Sequence, residues 1–228
     1  MKFAWPFPML LSAAFALCGS MHAGIITVPP ALAPGAQYRL VFVTSDATNA
    51  LSSVIADYNA FVTSEANSIA ALANLSTTWT VIASTPTVNA VVNVGATGNA
   101  IGIYRLDGAL VAPNTTSMFS GSLSNAVLLN QNGTQNSSGT VWTGSSPNGI
   151  RDFGLGHSTS QADFGGSTAA DHYWLSSDTF PTDYQFSVYA ISGVLTAPGT
   201  ATPEPSTLGM TAVAAIAFCA GRRHSMRR

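Results

Sequence analysis

Both cysteines of the chain, Cys18 and Cys219, fall in hydrophobic segments at its two ends. The body between them, from Gly24 to Thr202, therefore has no thiol, which excludes a disulfide framework, a thiolate zinc site and a cysteine nucleophile there. The only lysine is Lys2, so the body also lacks any Schiff-base or lysine-assisted chemistry. A chain built this way folds by core packing or not at all. Roughly 175 residues suffice for one such domain.

Charge is equally sparse. Only 8% of residues are charged, about a third of the usual share near 25%. Within the body three arginines (Arg39, Arg105, Arg151) face nine carboxylates, a balance of −6. Electrostatic binding to nucleic acid is not expected of such a surface.

The two ends read as export signals. Residues 1–23 combine a minimal positive start at Lys2, an apolar run from Met9 to Leu17, and an expected cleavage after Ala23. At the other end an apolar run, Leu208 to Ala220, spans about 20 Å as a helix, short against an ordinary membrane span. Thr207 and Gly221 extend it, and Arg222, Arg223, Arg227 and Arg228 behind it form a membrane stop on the cytoplasmic side. A marginal transmembrane helix of this kind suits a transient hold in the inner membrane.

Just before the apolar run stands Pro203-Glu204-Pro205-Ser206. This motif, one hydrophobic segment and a terminal arginine cluster resemble the PEP-CTERM sorting tail of Gram-negative bacteria. The resemblance implies passage through a secretion translocase and processing by an exosortase at or near the motif. It also implies residence at the cell surface or in the extracellular polysaccharide matrix of a biofilm. The chain thus divides into a signal peptide (1–23), an extended proline-rich lead-in (24–37), an extracytoplasmic domain (38–197) and a sorting tail (198–228).

Within the domain, Tyr38 to Ser45 reads as a strand. Leu51, Val54, Ile55, Tyr58, Phe61, Val62, Ile69 and Leu72 recur at helical spacing, predicting one long helix or a pair broken near Thr63-Ser64 and ending by Asn74. Asp46 or Asn49 is the expected cap. Short strands are expected at 77–83 and 140–143, and a hairpin over 101–112 around Asp107-Gly108. Asn130 to Gly139 reads as a polar low-complexity loop, and 154–168 as a long irregular one. Tyr173-Trp174-Leu175 and 186–191 are expected to close the sheet, the latter with one buried face.

Early helix followed by a loop-rich antiparallel sheet predicts an α+β fold. That order resembles the C-type-lectin-like architecture, and the phrases IYRLDGALVA, VWTG and YAIS resemble those of exported bacterial proteins carrying such tails. A Glu-Pro-Asn-type calcium triplet and paired cysteines are absent, so lectin sugar ligands do not carry over residue by residue.

Chemistry is thinly marked. No G-x-S-x-G elbow, H-E-x-x-H helix or phosphate-cradling glycine loop occurs. Asp152-Phe-Gly and Asp163-Phe-Gly lack the lysine and catalytic loop of a kinase. His157, Asp163, Asp171 and His172 are weak candidates for a divalent-metal cluster, and Asp152, Asp163, Asp171 and Asp178 for calcium. The ordinary alternative is that the aspartates cap turns and the histidines sit on a solvated loop. Trp79, Trp142 and Trp174, with Tyr173 and Tyr184, are candidates for a sugar-stacking platform, with polar groups near Asn125 to Asn136 supplying hydrogen bonds. Single tryptophans in short strands more often belong to a core.

The expected function is therefore non-enzymatic: a structural or adhesive role at the envelope or in the matrix. A carbohydrate-binding lectin-like module is the second reading, requiring at least two of the tryptophans exposed on one face. An envelope hydrolase is third, requiring His157 or His172 beside a carboxylate in a cleft. No cofactor is expected beyond the weak calcium candidate.

Overall fold

The structure, a computed structural model, describes residues 24–95 and 101–199. The signal segment and the sorting tail from residue 200 onward, including Pro203 to Ser206 and the terminal arginines, lie outside the described residues. No helix among those described is long and apolar enough to cross a membrane.

The first strand, β1 (Gln37–Val43), sets the layering. Tyr38, Leu40 and Phe42 point to one face and Val41 and Val43 to the other, and all five are buried. Two covers account for this. Helices α1 (Ile55–Asn67) and α2 (Ala70–Ala73) pack Tyr58, Val62, Ala66 and Leu72 on the first face. On the second face lie α3 (Ala90–Val94) and α4 (Thr115–Met118), with Val94, Met118 and Phe119. A strand covered on both sides reads as an unbroken apolar run rather than an alternation.

The remaining strands are β2 (Trp79–Val81), β3 (Gly102–Arg105), β4 (Leu110–Ala112), β5 (Thr140–Trp142), β6 (Gln161–Gly166), β7 (Asp178–Pro181), β8 (Ser187–Ser192) and β9 (Leu195–Thr196). They join in one sheet ordered β4-β3-β1-β8-β5-β6-β7, with β2 added to β8 and β9 to β1. The α+β class holds, but the sheet is mixed rather than antiparallel, because β1 pairs β3 and β5 pairs β8 in parallel.

Strand β8 is the hub. One edge meets β1, with Val41 opposite Ile191 and Val43 opposite Tyr189. Its other edge is shared end to end: β5 takes Ser187 and Val188, and β2 takes Ala190 to Ser192. All six of its residues are buried, so the expected single buried face is corrected to two. Beyond it, β9 returns to the start of β1, and Ala197 exchanges backbone hydrogen bonds with Gly35 and Ala36.

Local chemistry explains the turns. At the β3–β4 hairpin Gly108 takes φ +83°, and the Arg105 guanidinium clamps Asp107 with two hydrogen bonds of 2.9 and 2.6 Å. That contact holds the Asp107 carboxyl below its ordinary range. The helical register expected from Leu51 starts later, at Ile55. Neither Asp46 nor Asn49 caps α1; the Asn49 side chain accepts from Leu51 N–H instead, and Ser52 Oγ accepts from Val54 N–H. Leu51 and Val54 therefore stay exposed in an extended lead-in to the helix. The break falls at Ser68-Ile69 rather than Thr63-Ser64, with the Ser68 hydroxyl donating back to the Glu65 carbonyl.

Two further expectations are corrected. The stretch expected as an irregular loop contains β6, and the expected strand around Trp174 is a 3-10 turn, His172–Trp174, capped by the Asp171 side chain accepting from Tyr173 N–H. One glycine of β6 follows from that turn: a Cβ on Gly165 would stand 2.0 Å from the Trp174 carbonyl oxygen. Gly165→Ala must push two backbones apart, and we expect a loss of about 3 kcal/mol in denaturant unfolding. Wild-type stability in that variant would show that β6 and the turn do not meet this closely.

Candidate functional site

The sequence candidates do not converge. Trp79 and Trp142 are buried on the helix-covered face and Trp174 on the opposite one. Trp79 packs edge-on against Phe42 at 5.1 Å, Trp142 lies 4.5 Å from the Phe186 ring, and Trp174 packs on Tyr189. Trp79, Trp142 and Trp174 form no exposed platform; two lie on strands covered from both sides and the third in a buried turn, and all three fill the core. The exposed aromatics are Tyr173 and Tyr184, at 48% and 52%.

The histidine–aspartate cluster is also taken up locally. The His157 ring bonds Thr159 Oγ1 at 2.8 Å, and His172 stacks on Tyr173 at 4.0 Å. Asp171 caps its turn and Asp163 is buried. Among the described residues no three His, Cys, Asp or Glu side chains come together to hold a metal, including Asp152 and Asp178 with Asp163. The two Asp-Phe-Gly phrases do meet, however. Asp163 N–H donates to the Phe153 carbonyl, and the Asp163 carboxylate accepts from Phe153 N–H at 2.8 Å.

Burial pushes the Asp163 carboxyl up to about 6, the Phe153 N–H opposes this, and Asp152 and Asp178 add to it. A carboxyl raised on folding stabilises the fold when protonated. Its contribution is complete below the ordinary aspartate range and lost as pH rises through about 6. Asp163→Asn should unfold at a higher temperature than wild type at pH 7, with the two midpoints converging near pH 4. Parallel melting curves across that window would exclude this assignment.

What the fold does assemble is a cleft at the far end of β1. Its volume is about 270 Å³, and it is lined by Ser45 and Ala47, by Asn130 and residues 134–138, and by Gln185, Phe186 and Ser187. Two asparagines brace the polar loop. Asn130 Oδ1 accepts from Asn132 N–H, Thr134 N–H and the Thr134 hydroxyl. Asn136 Oδ1 accepts from Ser138 and Gly139, while its Nδ2 donates to Ser187 Oγ at 2.8 Å.

Beneath the rim, the buried carboxylate of Glu65 on α1 ties three segments together. Its Oε2 accepts from Gln131 Nε2 at 2.6 Å and from Asp46 N–H at 3.2 Å. Gln131 in turn donates to Ser45 Oγ and accepts from Ser45 N–H. Not one lining residue is charged. Phe186 supplies one aromatic wall, in a cluster with Phe180 at 5.5 Å and Tyr184 at 6.4 Å.

The sequence marked the polar loop as a source of hydrogen-bonding groups. It had no signal for Ser45 or for Gln185 to Ser187, which lie far from that loop in the chain. Among the described residues His157 hydrogen-bonds Thr159, and neither His157 nor His172 bonds a carboxylate. No protein-family model matches the chain, and no curated protein matches it.

Glu65→Ala would leave the Asp46 N–H and the Gln131 amide without their acceptor. We expect a cost of about 1–3 kcal/mol, read by chemical denaturation. No change in stability would mean that the carboxylate does not hold the rim.

Proposed function

We propose that this chain is an exported protein, processed by an exosortase, with a structural or adhesive, non-enzymatic role at the cell envelope or in the extracellular polysaccharide matrix. The observation that carries this reading is the order of parts in the tail: Pro203-Glu204-Pro205-Ser206, one apolar run and four arginines, paired with the amino-terminal signal. The secretion translocase and the exosortase are its partners during export, the inner membrane holds it transiently, and nucleic acid is not a partner. A body without cysteine that packs both faces of its sheet is consistent with a domain that folds after export without oxidation.

A second reading, a carbohydrate-binding module of C-type-lectin-like architecture, draws support from two observations. The first strand pairs with the last strands, β8 and β9, which brings the first and last strands of the described domain side by side. The cleft lining is polar and uncharged, as suits a hydroxyl-rich ligand. Tryptophan stacking, as first expected for such a module, has no part in it.

The test is made in a Gram-negative host carrying an exosortase, by cell fractionation and intact mass. Wild type should lose residues 1–23 and the tail and leave the inner membrane. A variant with Pro203, Glu204 and Pro205 replaced by alanine should keep its tail and stay membrane-bound. Cytoplasmic chain with both ends intact would refute the proposal.

A further inference from the structure

We infer that the cleft between the Ser45–Ala47 turn, the 134–138 loop and Gln185–Ser187 binds a neutral glycan segment and holds it at the end of the domain opposite Ala197. This deepens the adhesive reading and rests on it.

The ligand class follows from what the cleft offers and what it withholds. The side-chain amides of Gln135 and Gln185 and the hydroxyl of Ser137 line it and make no hydrogen bond within the described residues. They are donors and acceptors left for a ligand. Phe186 gives an apolar wall of the kind that sugar-ring C–H faces pack against. The volume, about 270 Å³, lies at the small end of ligand sites and suits one or two sugar units of a longer chain.

Charge decides against acidic glycans. The acidic and basic residues nearest the cleft in the chain or beneath its rim are Asp46, Glu65 and Asp183, all carboxylates. The three described arginines are engaged elsewhere. Arg39 is buried against the carbonyls of Ser192 and Val94, Arg105 binds Asp107, and Arg151 donates to Pro86. Among the described residues no arginine is left to neutralise a uronate, sulfate or phosphate at the cleft. Peptide capture by strand addition has no footing here either, since the available groups are side-chain amides and hydroxyls rather than an open strand edge.

The placement follows from topology. Strand β1 begins beside β9 and Ala197, where the chain leaves for its tail, and ends at Val43, two residues before Ser45. Its seven residues separate the two ends by about 23 Å. The cleft therefore lies at the other end of β1 from Ala197.

The experiment is affinity electrophoresis of the full chain in mild detergent, through native gels containing hydroxyethyl cellulose, dextran, galactomannan or alginate. We expect retardation in at least one neutral gel and none in alginate. The double variant Gln135→Ala/Gln185→Ala, two exposed substitutions that leave the core intact, should bind about tenfold more weakly through the loss of two hydrogen bonds. Free migration in all three neutral gels, equal retardation in alginate, or an unaffected double variant would each overturn the inference. If the tail is still processed in that case, the export reading stands. A chain that binds a neutral gel but is never exported would sink the export reading and leave the cleft assignment in place.

Discussion

Burial of β8 on both faces and pairing along both of its edges is the arrangement on which the other elements depend. Ser187 to Ser192 comes late in the chain, yet it sits between β1 on one side and β5 and β2 on the other. Until it inserts, the first strand lacks its antiparallel partner and β5 and β6 have nothing to extend. Contacts this distant in sequence are slow to form and strongly cooperative once made. The same insertion gathers the Ser45 turn, the polar loop and Gln185 to Ser187 at one end of the sheet. The core and the cleft are two consequences of one closure.

A charge-poor chain handles its few charges individually. Arg105 and Asp107 form a fork on a surface hairpin, where such a pair adds modestly to stability. Arg39 is buried without a carboxylate and is held by backbone carbonyls, and burial lowers its pKa to about 10. Glu65 is buried too, and it serves as an acceptor for two segments, Ser45-Asp46 and Gln131, rather than as half of an ion pair. Both are cases of a buried charge satisfied by fixed dipoles, which ties loops in place more than it adds net free energy.

Legibility varied with the range of the interactions involved. The Asp107-Gly108 hairpin and the first strand could be read because a turn dipeptide and an apolar run are local signals. The helix was found but its ends were not, because Leu51 and Val54 keep helical spacing while Asn49 and Ser52 hold them extended. Strand β6 was missed since Gly165 and Gly166 look like loop residues. The smallness of Gly165 answers to a carbonyl of Trp174 that no local pattern reveals. The aromatic site proposed from residue type was misplaced for a related reason: which face of a strand is covered depends on what packs there, and here both faces are.

By itself, the sequence determined that the domain would be uncrosslinked, poor in charge and free of thiol and lysine chemistry, because those properties belong to composition and survive any folding. It also carries the order of parts on which the sorting proposal rests, because such a motif is read along the chain. Only the tertiary structure decided that Trp79, Trp142 and Trp174 are core, that Asp163 meets the first Asp-Phe-Gly turn in a buried site, and that an uncharged cleft forms beyond the end of β1. Those outcomes rest on pairings between residues as far apart as Val43 and Tyr189 or Ser45 and Gln131, whose energies depend on burial and register that no short stretch of chain contains.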